Sequence, residues 1–143
     1  MFAAMQEQRY QGGCLCGGVR YEVGGAPRNL CYCHCTSCRR ATGGVSVPWA
    51  TFERAAFRVT RGALTEHRSS PEVARGFCAA CGSSLTYRHA RRPAEIDVTL
   101  VTLDAAARLA PEMHVWVADR LPWVHLDDGL PQHAAGSESG APP

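Results

Sequence analysis

The sequence predicts a mainly β domain with short helical turns. Three observations support this fold class: short segments that alternate apolar and polar residues lie between glycine-containing turns, helix signals are few, and eight cysteines fall in close pairs. With 143 residues, 45% of them hydrophobic and 20% charged, the chain suits one domain with one core. We place that domain at residues 10–132, between a flexible N-terminus at 1–9 and a flexible tail at 133–143.

The predicted strands follow one another along most of the chain. Residues 19–23 alternate apolar and polar side chains and meet a turn at Gly24 and Gly25, and residues 96–101 form the clearest central strand. We expect residues 64–67 to be the hairpin partner of residues 57–60. The other strand-like segments are 29–33, 45–49, 75–78, 84–87 and 114–117.

Helix signals occur in two places. Thr36 or Ser37 can cap a short helix that ends at Gly43, because a side-chain hydroxyl accepts from a free backbone N–H and glycine adopts the left-handed conformation of a C-cap. A second helical turn is expected within residues 102–109, where Asp104 is a suitable cap.

Composition narrows the function classes. A net charge of +2 is small, which argues against nucleic acid as the main partner. The sequence has no apolar run long enough to span a bilayer and no secretory signal, so we expect a cytoplasmic protein without membrane contacts. In that reducing compartment, clustered cysteines bind metal or do redox work more often than they form disulfides.

Four cysteines from distant parts of the chain predict a closed metal site. Cys14 and Cys16 form a Cys-x-Cys motif beside glycines, and Cys78 and Cys81 form a Cys-x-x-Cys-Gly zinc knuckle. Four thiolates suit tetrahedral Zn²⁺ and leave no position for a substrate. We therefore expect a structural zinc that ties the N-terminal part of the domain to a later hairpin.

A denser cysteine motif predicts a second metal site. Cys33, Cys35 and Cys38 lie at a strand end and at the start of the predicted helix, whose N-terminus would stabilise thiolates. Three sulfur ligands can hold one ion and leave its fourth position free, which is the arrangement of a catalytic zinc.

Cys31 leaves two arrangements of this second site open. A bend in the strand would bring Cys31 onto the same metal and close the site. In a straight strand, residues two apart are about 6.5–7 Å from each other, too far for one tetrahedron of ligands. We favour the straight strand, in which Cys31 is a buried thiol that acts as a small apolar side chain.

These motifs resemble those of one known family. Cys-x-Cys-Gly, Cys-His-Cys-x-x-Cys-Arg and Phe-Cys-x-x-Cys-Gly-Ser are the pattern of the glutathione-dependent formaldehyde-activating family, which includes centromere protein V and has the Mss4-like fold. Residues 114–117, 121–123 and 128–131 are similar to its C-terminal strand and closing loop. The resemblance implies small antiparallel sheets around zinc, with a structural zinc on Cys14, Cys16, Cys78 and Cys81 and a second zinc on Cys33, Cys35 and Cys38.

The activity that the resemblance implies is a carbon–sulfur lyase reaction run towards synthesis, in which glutathione condenses with formaldehyde to S-(hydroxymethyl)glutathione. A thiol taken up at the free fourth position would lose its proton and could attack a small aldehyde. Arg39 and Arg40 follow the last cysteine and are candidates for pairing with a glutathione carboxylate. Solvated charges on a short helix are the other interpretation of these arginines.

Two further function classes stay open in the sequence. One is a non-catalytic zinc module that contacts a protein or a nucleic acid. The other is a thiol redox or metal-handling protein, in which Cys31 and the second motif exchange between metal-bound and disulfide states. Exposed sheet edges leave a homodimer open. His34, between two cysteines, and His114, in a predicted strand, are candidates for a chemical role.

Overall fold

The computed structural model describes residues 8–136, which form two β-sheets, one α-helix and several 3₁₀ turns. The strands are β1 (Arg9–Gly13), β2 (Arg20–Gly24), β3 (Arg28–Cys33), β4 (Val47–Glu53), β5 (Phe57–Arg61), β6 (Thr65–Ser70), β7 (Val73–Phe77), β8 (Ser84–His89), β9 (Glu95–Thr99) and β10 (Met113–Val115). Helix α1 spans Thr36–Thr42, and the 3₁₀ turns are Arg54–Ala56, Leu100–Thr102, Ala106–Arg108 and Val117–Asp119.

The two sheets differ in size and in strand direction. The smaller sheet has the order β1-β2-β5, and the larger has the order β10-β3-β4-β9-β8-β7-β6. The pairings between these strands are antiparallel, apart from β10 with β3, which run parallel. The predicted mainly β fold with mostly antiparallel sheets is confirmed, and the β10–β3 pair makes the larger sheet mixed.

Buried side chains of both sheets form the main core, and a second cluster surrounds the dense cysteine motif. In the main core the rings of Tyr10, from β1, and Phe52, from β4, lie 5.8 Å apart between centroids. The second cluster combines side chains of β3, α1, β4, β7, β8 and β10. The dense motif is therefore surrounded by strands from most of the larger sheet.

One pairing differs from the prediction. β5 pairs with β2, and β6 pairs with β7, so residues 64–67 are not the hairpin partner of residues 57–60. Gly62 lies between them at φ +69°. A Cβ at this position would lie 2.1 Å from the carbonyl oxygen of Gly18, so no side chain fits there. At this turn the chain leaves the smaller sheet and enters the larger one, which is why no hairpin forms.

The chain ends predicted to be flexible lie partly outside the described residues, which exclude 1–7 and 137–143. Within the described part, β1 begins at Arg9. The backbone N–H of Trp116 donates to the carbonyl of Ala135 at 2.8 Å, and that of Val117 donates to the carbonyl of His133 at 3.0 Å. Backbone hydrogen bonding therefore continues past residue 132 and holds this segment beside β10.

Gly76→Ala is expected to lower the free energy of unfolding by roughly 1–3 kcal/mol, because it overpacks the sheet. Gly76 of β7 lies opposite Thr86 of β8, and an added Cβ would collide with Thr86 Oγ1 and lie 2.9 Å from Leu64 Cδ2. Urea unfolding measures the effect. Gly24→Ala is the control, since a Cβ on this strand glycine meets nothing closer than 3.8 Å. Equal midpoints for the two variants would contradict the expectation.

Candidate metal centres and the adjoining cleft

Four sulfurs join the segment after β1 to the turn after β7. The Sγ atoms of Cys14, Cys16, Cys78 and Cys81 all lie within 4.8 Å of one another, with 3.5 Å between Cys14 and Cys16 and 3.8 Å between Cys16 and Cys78. Sulfurs arranged tetrahedrally at about 2.3 Å from zinc are about 3.8 Å apart. The donor set and its spacing therefore fit Zn²⁺ in a closed site.

Hydrogen bonds favour the thiolate form of two of these sulfurs, because they lower the pKa of Cys14 and of Cys81. The backbone N–H of Val19 donates to Cys14 Sγ at 3.2 Å. Ser83 Oγ lies 3.2 Å from Cys81 Sγ and accepts from the backbone N–H of Leu15 at 2.9 Å, which links the two halves of the site. Hydrogen bonds from Ser83 lower the pKa of Cys81 to about 5. Donors aimed at sulfur favour the charged form that binds metal.

Three buried sulfurs at the start of α1 form the second cluster. Cys33 ends β3, Cys35 precedes α1 and Cys38 lies in its first turn, and their Sγ atoms all lie within 4.8 Å of one another. Cys35 is the N-cap residue, because its Sγ accepts from the backbone N–H of Cys38 at 3.3 Å. The predicted cap at Thr36 or Ser37 is wrong, since the helix begins directly after Cys35.

The sulfur of Cys31 lies outside this three-sulfur group. β3 is extended at Cys31 and is paired on both sides, with Trp49 of β4 and Met113 of β10 opposite. The side chain is buried, and burial raises the pKa of Cys31 to about 12. This environment suits a protonated thiol and supports the straight-strand interpretation.

Arg75 supplies the positive charge beside the second cluster. Its Nη1 donates to Cys38 Sγ at 3.6 Å, and its guanidinium lies 5.1 Å from the centroid of the Tyr87 ring. The side chain is 7% exposed and makes no ion pair with a carboxylate within residues 8–136. Hydrogen bonds from the two neighbouring cysteines, and then Arg75, lower the pKa of Cys38 to about 2. A buried cation requires a counter-charge, and here the Cys38 thiolate supplies it.

A cleft opens beside the second cluster. Its large apolar side chains are Trp49, Tyr87, Met113, Val115 and Trp116, its cysteines are Cys31, Cys33 and Cys38, and Asn29, Thr51, Arg92, Asp97 and Gly136 complete its lining. The two charged side chains of the lining pair with each other: Arg92 Nη2 donates to Asp97 Oδ2 at 2.9 Å, and Thr51 Oγ1 donates to Asp97 Oδ1 at 2.5 Å.

Backbone strain coincides with this cleft. Asn29, at φ 50°, and Trp116, at φ 57°, are the non-glycine residues with positive φ among residues 8–136, and both line it. The left-handed conformation is costly for a residue with a Cβ, and such strain clusters at functional sites. The cleft is therefore the best candidate for a ligand site.

Arg39 and Arg40 do not line this cleft. Arg39 Nε donates to the carbonyl of His34, and its Nη2 donates to the carbonyl of Asp119, both at 3.3 Å. Arg40 lies exposed on α1. A role for these two arginines in substrate binding stays a prediction, whereas the guanidinium in the lining belongs to Arg92, which is not among the predicted site residues.

A chain of hydrogen bonds links His34 to the closing loop. The carboxylate of Asp128 accepts from His114 Nε2 at 2.7 Å, and His114 Nδ1 shares a hydrogen bond with His34 Nε2 at 2.9 Å. Both rings are buried, and burial, followed by the charge of His114, lowers the pKa of His34. Asp128 and His114 thus fix the orientation of the ring of His34, which lies between Cys33 and Cys35 in the sequence.

Comparisons with known proteins identify a family and a similar structure. A family model described as glutathione-dependent formaldehyde-activating enzyme matches residues 9–119. The crystal structure of a Rhodobacter sphaeroides protein is similar with a TM-score of 0.56 and 25% sequence identity, over 86% of this chain and 98% of that chain. No curated protein matches this chain. In the part of the chain that the structure describes, no helix has the length and apolar character needed to cross a membrane.

Proposed function

The chain belongs to the glutathione-dependent formaldehyde-activating enzyme family, and on this premise we propose that it is a zinc-dependent enzyme of the carbon–sulfur lyase type. It would join a thiol, such as glutathione, to a small aldehyde in the cytoplasm. One observation carries the proposal: three buried sulfurs, joined by no fourth ligand from residues 8–136, form a group that lies against a cleft. Two metals are assigned, a structural zinc on Cys14, Cys16, Cys78 and Cys81 and a second zinc on Cys33, Cys35 and Cys38.

The cysteines of the second cluster are suited to hold a metal with one position free. When bound, zinc would supply the Lewis acidity that lowers the pKa of a thiol in that position. Arg75 beside Cys38 offsets the negative charge of three thiolates. The apolar walls of the cleft exclude water from the sulfur that reacts.

The bond changes of the proposed reaction balance without an oxidant or reductant. The thiol sulfur forms a bond to the carbonyl carbon of the aldehyde, and the electron pair of the C=O π bond moves to oxygen. That oxygen takes up a proton, and the thiol has released one. The product is an S-(hydroxyalkyl) thioether, which is S-(hydroxymethyl)glutathione if the reactants are glutathione and formaldehyde.

Cys35→Ser tests the proposal by removing one ligand of the second cluster. We expect wild-type protein to contain two zinc ions by elemental analysis, and the variant to keep one and to lose at least about 100-fold of the catalysed rate. Adduct formation from ¹³C-formaldehyde and glutathione is followed by NMR against the spontaneous rate. Cys31→Ala is the control, because its sulfur lies outside the group. One zinc in the wild type and no rate above the spontaneous one would refute the proposal.

A second candidate is a thiol redox function, and the position of Cys31 favours it. Cys31 lines the same cleft as Cys33 and Cys38, so an oxidant that enters the cleft reaches three thiols. Treatment with hydrogen peroxide followed by mass spectrometry distinguishes the two candidates. A disulfide to Cys31 that forms reversibly with loss of one zinc supports the redox function, and irreversible oxidation without such a disulfide excludes it.

A further inference from the structure

We propose that the cleft beside Cys33 and Cys38 binds the apolar substituent of an aldehyde, so that aldehydes larger than formaldehyde, with an aromatic or branched aliphatic group, are its ligands. The inference rests on the proposed function for the reaction itself, but the ligand class follows from the cleft. Three properties of the cleft carry it: its volume, the pairing of its charges and the strained backbone of its wall.

The volume of the cleft exceeds what formaldehyde can fill. Formaldehyde has only two heavy atoms, and a single water molecule needs roughly 10–15 Å³ of space for its centre. By the same measure the cleft offers about 50 Å³, and its lining residues include Trp49, Tyr87 and Trp116. An aromatic or branched group would cover these rings, and ring–ring contacts add to the hydrophobic gain.

The charged side chains of the lining are already paired, and Arg92 Nε is the one buried polar side-chain atom of the lining without a hydrogen-bond partner within residues 8–136. Arg92 is bonded to Asp97 and, at 2.5 Å, to Glu95, while Asp97 also accepts from Thr51. A charged group that entered the cleft would lose its water and find at most one free donor, Arg92 Nε, on a guanidinium whose charge Asp97 and Glu95 already offset. Glutathione carries two carboxylates and one ammonium group, so the cleft suits the uncharged aldehyde better than the body of the thiol.

The strained residue Trp116 holds one wall of the cleft in place. Its backbone is at φ 57°, and its N–H donates to the carbonyl of Ala135 at 2.8 Å. Gly136, the next residue of that segment, also lines the cleft. The C-terminal segment therefore fixes the backbone that carries this indole ring beside the cleft, and we assign Trp116 as the residue that determines specificity.

Binding of 4-fluorobenzaldehyde to the zinc-loaded full chain tests the inference by ¹⁹F NMR, without any need for turnover. We expect the free resonance to broaden or shift with wild-type protein and the apparent affinity to fall about 10-fold or more in Trp116→Gly. Glycine is chosen because it adopts the backbone conformation of Trp116 without strain. Trp123→Gly is the matched control, since Trp123 is 64% exposed and lies outside the lining. If Trp116→Gly does not fold, Met113→Ala replaces it in the test, because it removes another large apolar side chain from the lining.

The rate with glutathione separates failure of this inference from failure of the proposed function. We expect kcat/KM for 4-fluorobenzaldehyde, divided by that for formaldehyde, to fall about 10-fold in Trp116→Gly and to stay constant in Trp123→Gly. Turnover of formaldehyde without binding of 4-fluorobenzaldehyde would overturn the inference and leave the proposed function intact. Binding that depends on Trp116 without turnover of any aldehyde would support the ligand class of the cleft and overturn the proposed reaction.

Discussion

Cys78→Ser is expected to leave the protein unfolded at room temperature. Cys78 is buried, and its sulfur lies in the four-sulfur group that ties the segment after β1 to the β7–β8 turn. Zinc bound to a structural site contributes about 10–16 kcal/mol in zinc-finger peptides, whereas whole domains are stable by only about 5–15 kcal/mol. Circular dichroism and zinc analysis measure the outcome, and a chelator should have the same effect on the wild type.

Cys31→Ser is the matched control for this substitution, because it makes the same chemical change at another buried cysteine that belongs to neither sulfur group. We expect this variant to fold and to retain both zinc ions. A Cys78→Ser protein with the circular dichroism spectrum and thermal midpoint of the wild type would show that the four-sulfur group is not what holds the fold together.

Arg75→Met is expected to weaken the second zinc by about 10- to 100-fold and to lower the free energy of unfolding by about 3–5 kcal/mol. Methionine fills a similar volume but leaves the Cys38 thiolate buried without its cation. Competition with a chromogenic chelator measures the affinity of each zinc, and urea unfolding measures stability. The first zinc should not change, because Arg75 contacts the second cluster alone of the two.

Arg75→Lys separates charge from shape in this prediction. Lysine keeps the positive charge but has no planar guanidinium to lie over the Tyr87 ring while it donates to sulfur. We expect zinc affinity between that of the wild type and that of Arg75→Met. Equal zinc affinities in all three proteins would mean that the charge of Arg75 does not act on the second cluster.

The sequence was most informative where structure depends on neighbours along the chain. The motif from Cys33 to Cys38 and the helix end at Gly43, which is at φ +75°, follow from spacing and from glycine's freedom in the left-handed region. Alternation placed β2 and most of β9 within a few residues of their observed bounds. The sequence did not predict β1, because Arg9–Gly13 contains one large apolar residue and two glycines.

The missed parts of the site depend on contacts between distant segments. In the sequence, Arg75 is an ordinary strand arginine and Arg92 an ordinary surface arginine. Only the pairing of β7, β8 and β9 brings Arg75 beside Cys38 and Arg92 beside the cleft. The link of His34 to His114 spans 80 residues of sequence, and no spacing rule indicates it. One of these contacts does have a signal in the sequence: Arg92 and Asp97 carry opposite charges and are five residues apart across a turn, which is close enough for an ion pair.

Because β3 lies early in the sequence and its partner β10 lies late, the site is completed only near the end of synthesis. The ribosome releases the ligands of the second cluster after only three strands have been made, whereas Arg75, β10 and Trp116 emerge much later. The three thiols therefore leave the ribosome before β4, β7, β8 and β10, the other strands of the second cluster, have been made. The final segment, through Asp128 and Ala135, forms its hydrogen bonds to His114 and Trp116 last.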